Sequence, residues 1–357
     1  VQRYKKNFLL SILLIFSNTL FSQIGGNSTY SFLNLTNSAR IAALGGNFLA
    51  IKDNDLTLAV ANPSLIGPGM SKTIALSFVD HYADINYGFA SYSHTFNKVG
   101  SFAATMQYIN YGKFLQADES GQTYGNFSAG EYALTIGWGR SLDKHFFIGS
   151  NLKFIYSGLE SYHSFGIAVD VAGTYFLEKN NFAASVIFKN IGRQLVYYTT
   201  GNNEKLPFEI QLGISKKFAH VPLNFSILYN HLEKFDLTYS DPNNPKPIVD
   251  PLTGDSIKEN KFEKFGDKLM RHFVVGVEFN PIKVLSIRFG YNYQRRQELK
   301  IESKKGLVGF TFGVGLKVSM FSFSYARAIN ALAGQPNYIT ISTSISDFKK
   351  KNKPKVQ

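Results

Sequence analysis

Along most of the chain, large apolar side chains recur at every second position. The clearest run sets Val308, Phe310, Phe312, Val314, Leu316 and Val318 against Gly309, Thr311, Gly313, Gly315 and Lys317. Leu285, Ile287, Phe289, Tyr291 and Tyr293 alternate in the same way with Ser286, Arg288, Gly290 and Asn292. Period two places one face against an apolar medium and the other in a polar space. The pattern predicts strands at 74–79, 85–96, 100–112, 126–140, 145–157, 160–177, 182–192, 208–219, 221–231, 270–280, 284–297, 306–318, 320–328 and 338–348.

Strand length and loop length decide what medium that is. Most of these segments reach about 10 residues, whereas soluble strands average about 5–6 and tilted membrane strands need about 9–11. Fourteen is an even number, as single-chain outer-membrane barrels require. With the first strand rising from the periplasm, the links 97–99, 141–144, 178–181, 220, 281–283 and 319 are tight. Those at 113–125, 193–207, 232–269, 298–305 and 329–337 are mostly long. A soluble sandwich has no reason to sort its loops by parity, whereas an outer-membrane barrel does. The expectation is an all-β, 14-stranded antiparallel transmembrane barrel with the segment before it available to plug the lumen.

The charged residues inside the strands fit a barrel interior. Glu131, Lys153, Asp170, Lys189, Glu209, Glu278 and Arg288 all fall on the parity away from lipid. A charge on the lipid face near the midplane would cost about 2–4 kcal/mol. Such a network either lines a substrate path or fills a closed lumen, and the sequence leaves both open.

Composition narrows the class further. The chain has 32 Phe and 20 Tyr against one Trp, with 30 Gly and 18% charged residues, which favours strands over helices. Zero Cys excludes disulfides, thiolate metal sites and Cys nucleophiles. The formal +13 is concentrated at the ends. Three cations in the first six residues and five in the last nine leave +5 on the body, without the basic stripe of a nucleic-acid binder. The organisation read from the chain is a signal peptide over 1–22, with a basic start, an apolar run at 8–16 and cleavage after Ser22. An N-terminal periplasmic or plug segment over 23–72, a barrel over 73–348 and a basic periplasmic tail over 349–357 follow.

No catalytic, cofactor or metal motif stands out. The seven His show no metal-ligand spacing, and His94 lies near Ser91 and Ser93 without the string of a barrel hydrolase. The glycine pairs lack the strand-to-helix setting of a phosphate loop. One segment is unusual, the outer connection 232–269, in which Pro and Asn argue against regular structure. Asp241, Asn243, Lys246, Asp250, Asp255 and Lys258 are its candidate partner-binding residues. Asp250, Asp255 and Glu259 do not have the spacing of an EF-hand Ca²⁺ loop.

The stretch Ser38-Ala39-Arg40-Ile41-Ala42-Ala43-Leu44-Gly45-Gly46, followed by Asn62-Pro63-Ser64-Leu65, resembles the opening of the FadL-like barrel superfamily. The longer string from Gly25 through Arg40 into Ala43-Leu44-Gly45-Gly46 resembles the PorQ family of Bacteroidetes type IX secretion barrels, with the PorV family next. That resemblance implies an outer-membrane, non-enzymatic member of the attachment complex. There the PorU sortase, PorV and PorZ join cargo to anionic lipopolysaccharide, and the barrel holds PorZ. The superfamily resemblance implies an alternative, a transporter of hydrophobic small molecules, with Leu44, Phe48, Leu49 and Ile51 lining an apolar pocket near 39–65.

Overall fold

The computed structural model describes residues 28–238, 260–299, 306–330 and 334–351, with side chains to Phe348. Fourteen antiparallel strands close into one barrel, each paired with its chain neighbours and the first with the last. They are β1 (Thr73–Asp80), β2 (Asn86–Phe96), β3 (Gly100–Ala117), β4 (Thr123–Ser141), β5 (Phe146–Leu159), β6 (Tyr162–Leu177) and β7 (Phe182–Val196). β8 (Glu209–Lys217), β9 (Leu223–Tyr229), β10 (Phe273–Ile282), β11 (Leu285–Asn292), β12 (Phe310–Val318), β13 (Phe321–Ala328) and β14 (Asn337–Ser344) complete it.

The period-two pattern explains the wall. Leu134, Phe154, Val171, Ile214, Phe323 and Ile341 are among many large apolar side chains left exposed around the outside. A continuous apolar band of that extent needs hydrocarbon around it, so the chain is an integral membrane barrel. The opposite parity turns Ser, Thr, Gly, Ala and the charged residues inward.

Several segments differ from the sequence expectation. β3 and β4 extend through much of 113–125, leaving only 118–122 as the turn. β7 runs to Val196 but pairs with β8 only as far as Lys189↔Glu209, so β7 stands free of β8 over 190–196. β3 to β7 have 14–19 residues and β8 to β14 only 7–10, so one side of the wall rises well above the other. Residues 293–297 and 345–348, read as strand, are helical (Tyr293–Leu299 and Ile345–Lys351). Phe348 therefore does not end a strand; its ring meets Phe321 edge-on at 5.8 Å from the helix. Inside the long connection, Lys261–Met270 forms a helix capped by the Asn260 side chain accepting from Phe262 N–H, in a segment expected to be irregular.

Residues 28–72 thread the lumen. Helical turns at Ser31–Asn34, Ala39–Ala43, Thr57–Ala61, Pro63–Leu65 and Pro68–Met70 alternate with extended backbone. The segment is buried almost throughout, with Ile41, Leu44, Phe48, Ile51, Leu56 and Leu58 forming a core of its own against Ala75 and Ala103 of the wall. Wall glycines make the close approach possible. A Cβ on Gly290 would lie 2.2 Å from the Gly45 nitrogen, and one on Gly149 would lie 2.3 Å from the Pro63 carbonyl carbon. Gly45 and Gly46 themselves have φ of +105° and +91°, backbone that favours glycine.

Candidate functional site: the plugged lumen

Among the polar ties between plug and wall, two stand out, each built from a short piece of sequence. Asn62 breaks the helix Thr57–Ala61 and caps the next turn, its Oδ1 accepting from Ser64 N at 3.0 Å and Ser64 Oγ at 2.6 Å. Its Nδ2 donates to the Leu49 carbonyl at 2.7 Å and to Thr174 Oγ1 of β6 at 3.2 Å. Ser64 Oγ also meets Thr174 Oγ1, which meets Ser185 Oγ of β7. The Asn-Pro-Ser motif is thus a fully satisfied buried staple between plug and wall.

The second fastening centres on Arg40. Ser38 caps the helix Ala39–Ala43, and the Ala39 N–H donates to Thr340 Oγ1 of β14, which fixes the helix against the wall. Arg40 then reaches β10, donating from Nε to Glu278 Oε2 at 3.0 Å and from Nη2 to Oε1 at 3.1 Å. Its Nη1 turns back to Asp53 at 2.6 Å and Asp55 at 3.0 Å within the plug. Arg288 of β11 donates to the same carboxylate, Nε to the shared Oε2 at 2.6 Å. Arg40 is 7% exposed and Glu278 5%. Burial works against the Arg40 charge, but Asp53, Glu278 and Asp55 outweigh it and hold the guanidinium well above its ordinary value.

The seven strand charges read as interior are all buried on the lumen side, and four of them form two ion pairs. Glu278 and Arg288 face each other across the β10–β11 ladder. Lys153 lies 2.8 Å from Asp170, which also accepts from Asn151 Nδ2 and the Asn190 N–H. Glu131 accepts from the Tyr111 hydroxyl. Glu209 accepts from Gln211 at 2.7 Å and lies 3.7 Å from His231. Lys189 stands opposite Glu209 in register without closing an ion pair. Arg40, Asp53 and Asp55 were missed by strand parity because they lie in the plug; the one signal was a lone Arg in a stretch of small and apolar residues. The six partner-binding candidates, Asp241, Asn243, Lys246, Asp250, Asp255 and Lys258, lie outside the described residues, as do the expected signal peptide and most of the basic tail.

A cavity of about 30 Å³ lies between Phe48, Ile41 and Leu35 of the plug and Gln107, Lys153 and Lys189 of the wall, room for about two waters. Leu44, Phe48, Leu49 and Ile51, expected to line an apolar pocket, are buried between plug and wall, and Phe48 borders this cavity. Ser91 and Ser93 point into the lumen, with Ser91 bonded to Thr105 and Ser93 to the Met70 carbonyl. His94 lies on the other parity, stacked edge-on against Phe96, so the three residues form no catalytic pair. Among the described residues no three His, Asp or Glu side chains cluster as a metal site.

No protein family profile matches the chain, and no curated protein matches it in sequence. Solved structures do match in fold. The toluene transporter TodX of Pseudomonas putida superposes with a TM-score of 0.53 at 12% identity, over 87% of this chain and 99% of that one. A second TodX structure gives 0.50 at 11% identity, over 86% and 96%. A deletion mutant described as a monoaromatic hydrocarbon channel gives 0.50 at 11% identity, over 87% and 99%. At that identity the likeness is one of fold, that of the TodX barrel.

Proposed function

We propose that the chain is a non-enzymatic outer-membrane barrel, sealed through its own lumen, that anchors a surface partner. In the finer reading it belongs to the type IX secretion attachment complex and holds a PorZ-like protein beside the PorU sortase and PorV, next to anionic lipopolysaccharide. Its short turns face the periplasm and its long connections the cell surface, the usual arrangement of bacterial barrels. The sealed lumen carries this reading. The plug is fastened by a buried staple and a buried ion cluster, and the cavity beside Phe48, Ile41 and Leu35 has room for about two waters. The helix Lys261–Met270, in the long connection, adds an exposed aromatic face with Phe262 83% and Phe265 54% accessible. Aromatic side chains of this kind are favoured where proteins meet.

Transport of hydrophobic small molecules is the second reading, and on the fold comparisons alone it is the better supported. A cleft of about 360 Å³ opens where β7 outruns β8, lined by Ile191, Leu206 and Phe208 among polar neighbours. It would serve as the entrance, but the plug would have to move before anything could pass. Affinity purification from gently solubilised outer membranes of the native organism separates the two. Recovery of PorU- and PorZ-like proteins, lost when the 232–269 connection is shortened in a correctly folded barrel, supports anchoring. A lone barrel that carries toluene-like compounds into proteoliposomes refutes it and establishes transport.

A further inference from the structure

The end of the barrel with short turns is chemically one-sided. Each of its six hairpin turns has an exposed lysine in it or within two residues of it: Lys98, Lys144, Lys179, Lys217, Lys283 and Lys317. Among the described residues Asp143, Glu178 and Asp347 bring negative charge to this end, and Asp143 is engaged by the His145 and Phe146 N–H groups. The opposite end mixes signs, with Asp80, Asp84, Asp118, Glu119 and Glu160 exposed among its cations.

Within that collar a cleft of about 310 Å³ lies between plug and wall, within the range of small-ligand sites. It is lined by Lys52 of the plug and by Lys98, Arg140, Thr95, Ser101 and Phe147 of the wall, and by no carboxylate. Lys52 Nζ sits 3.5 Å from the centre of the Phe147 ring, a cation–π contact in place of an ion pair. Burial alone pushes its ammonium down to about 8, with no acid answering it. Beside the cleft, Phe96, Val99 and Phe146 are exposed at the membrane edge. The site therefore joins an uncompensated cation, two further cations at its mouth and an apolar border.

We propose that this cleft holds the phosphate of an anionic phospholipid headgroup, with Lys52, Lys98 and Arg140 around the phosphate and the acyl chains along the apolar border. The recognised chemistry is a phosphate ester. The collar and the exposed rim aromatics favour the membrane over the aqueous phase as its source, because clustered lysines at a headgroup surface select anionic lipid. The proposal is independent of whether the barrel anchors or transports; the orientation given above only sets the leaflet, the inner one.

The test uses the full chain in nanodiscs of phosphatidylcholine doped with phosphatidylglycerol, with retained lipids counted by native mass spectrometry. Wild type is expected to retain phosphatidylglycerol selectively. Lys52→Met with Arg140→Met should lower that retention by more than tenfold, about fivefold for each cation removed. Lys283→Met with Lys317→Met, across the barrel in the same collar, should leave the retained lipid in place. Excess soluble glycerol 1-phosphate should not displace it. Equal retention of the two lipids, or equal loss from both variant pairs, would overturn the site. Displacement by glycerol 1-phosphate would overturn the lipid source. Heat-modifiable gel mobility checks that each variant is folded, and if the Lys52 variant is not, Lys98→Met with Arg140→Met at the exposed mouth runs the same test.

Discussion

Replacing Arg40 with methionine cuts the strongest polar tie between plug and wall. The guanidinium makes contacts of two kinds. Those to Asp53 and Asp55 stay within the plug, while the two hydrogen bonds to Glu278 cross to β10. Only the crossing pair resists separation of plug and barrel. A hydrogen bond to a charged partner contributes about 1.5–3 kcal/mol, and breaking a buried ion pair outright costs about 3–5 kcal/mol. Glu278 keeps Arg288 at 2.6 Å after the substitution, which recovers part of the loss. A net change of about 2–3 kcal/mol follows, raising the undocked fraction of the plug roughly 30- to 140-fold. Amide hydrogen exchange over residues 38–46 reads that fraction directly, with strands β3 to β6 as the internal reference. Adding Glu278→Gln to the Arg40 variant should cost much less than its effect in the wild-type background, since the pair is already broken. Plug exchange within twofold of wild type, or fully additive effects, would show that Arg40 does not tether the plug. Equal loss of protection in plug and strands would mean general destabilisation and would also refute the reasoning.

Gly149→Val should leave a folded, heat-modifiable barrel whose plug is open to protease, because the added carbon meets Pro63 backbone at 2.3 Å and backbone cannot step aside. Lys52 should titrate near pH 8 when followed by NMR of methylated lysines. Because its folded value lies below the ordinary 10.5, its protonation cost is present below about 8 and stability rises as pH goes from 8 toward 10.5; a titration at the ordinary value refutes this. Burial opposes the charge on His231, yet the Glu233 hydrogen bond and the Glu209 and Glu233 charges more than offset it and raise the value above 6.5. Its contribution is therefore complete below 6.5 and lost as pH rises through the folded value. Amide exchange in 230–235 should speed up on that rise in wild type and lose its pH step in Glu233→Gln.

How far the sequence could be read depended on where solvent lies. Within the membrane, lipid outside and plug inside give each strand two unlike faces, so Phe165, Ile167, Val169 and Val171 on β6 show their parity plainly. Above it both faces of β3 and β4 are wet, the alternation fades around Gly112 and Gly121, and ladder residues read as loop. The helix Tyr293–Leu299 was hidden because Tyr291 and Tyr293 continue the strand parity for one more step. Lys261–Met270 was hidden by the Pro- and Asn-rich residues before it. The pairing of Glu278 with Arg288 follows from a tight hairpin and was within reach. The third member of that cluster lies 238 residues away in Arg40, a distance no local spacing rule spans.

The unequal wall gives the molecule a compass direction. The stretch of β7 standing clear of β8 is seven residues long, and at about 3.4 Å per residue and a barrel tilt near 40° it rises roughly 20 Å higher. Seen from above, the barrel is not a round post but a screen with a sheltered side, where the low strands, the helix Lys261–Met270 and the 360 Å³ cleft share the same open half. A molecule arriving from the front meets every low feature at once, whereas one arriving from behind meets only a sheet face, so encounters at this surface depend on bearing.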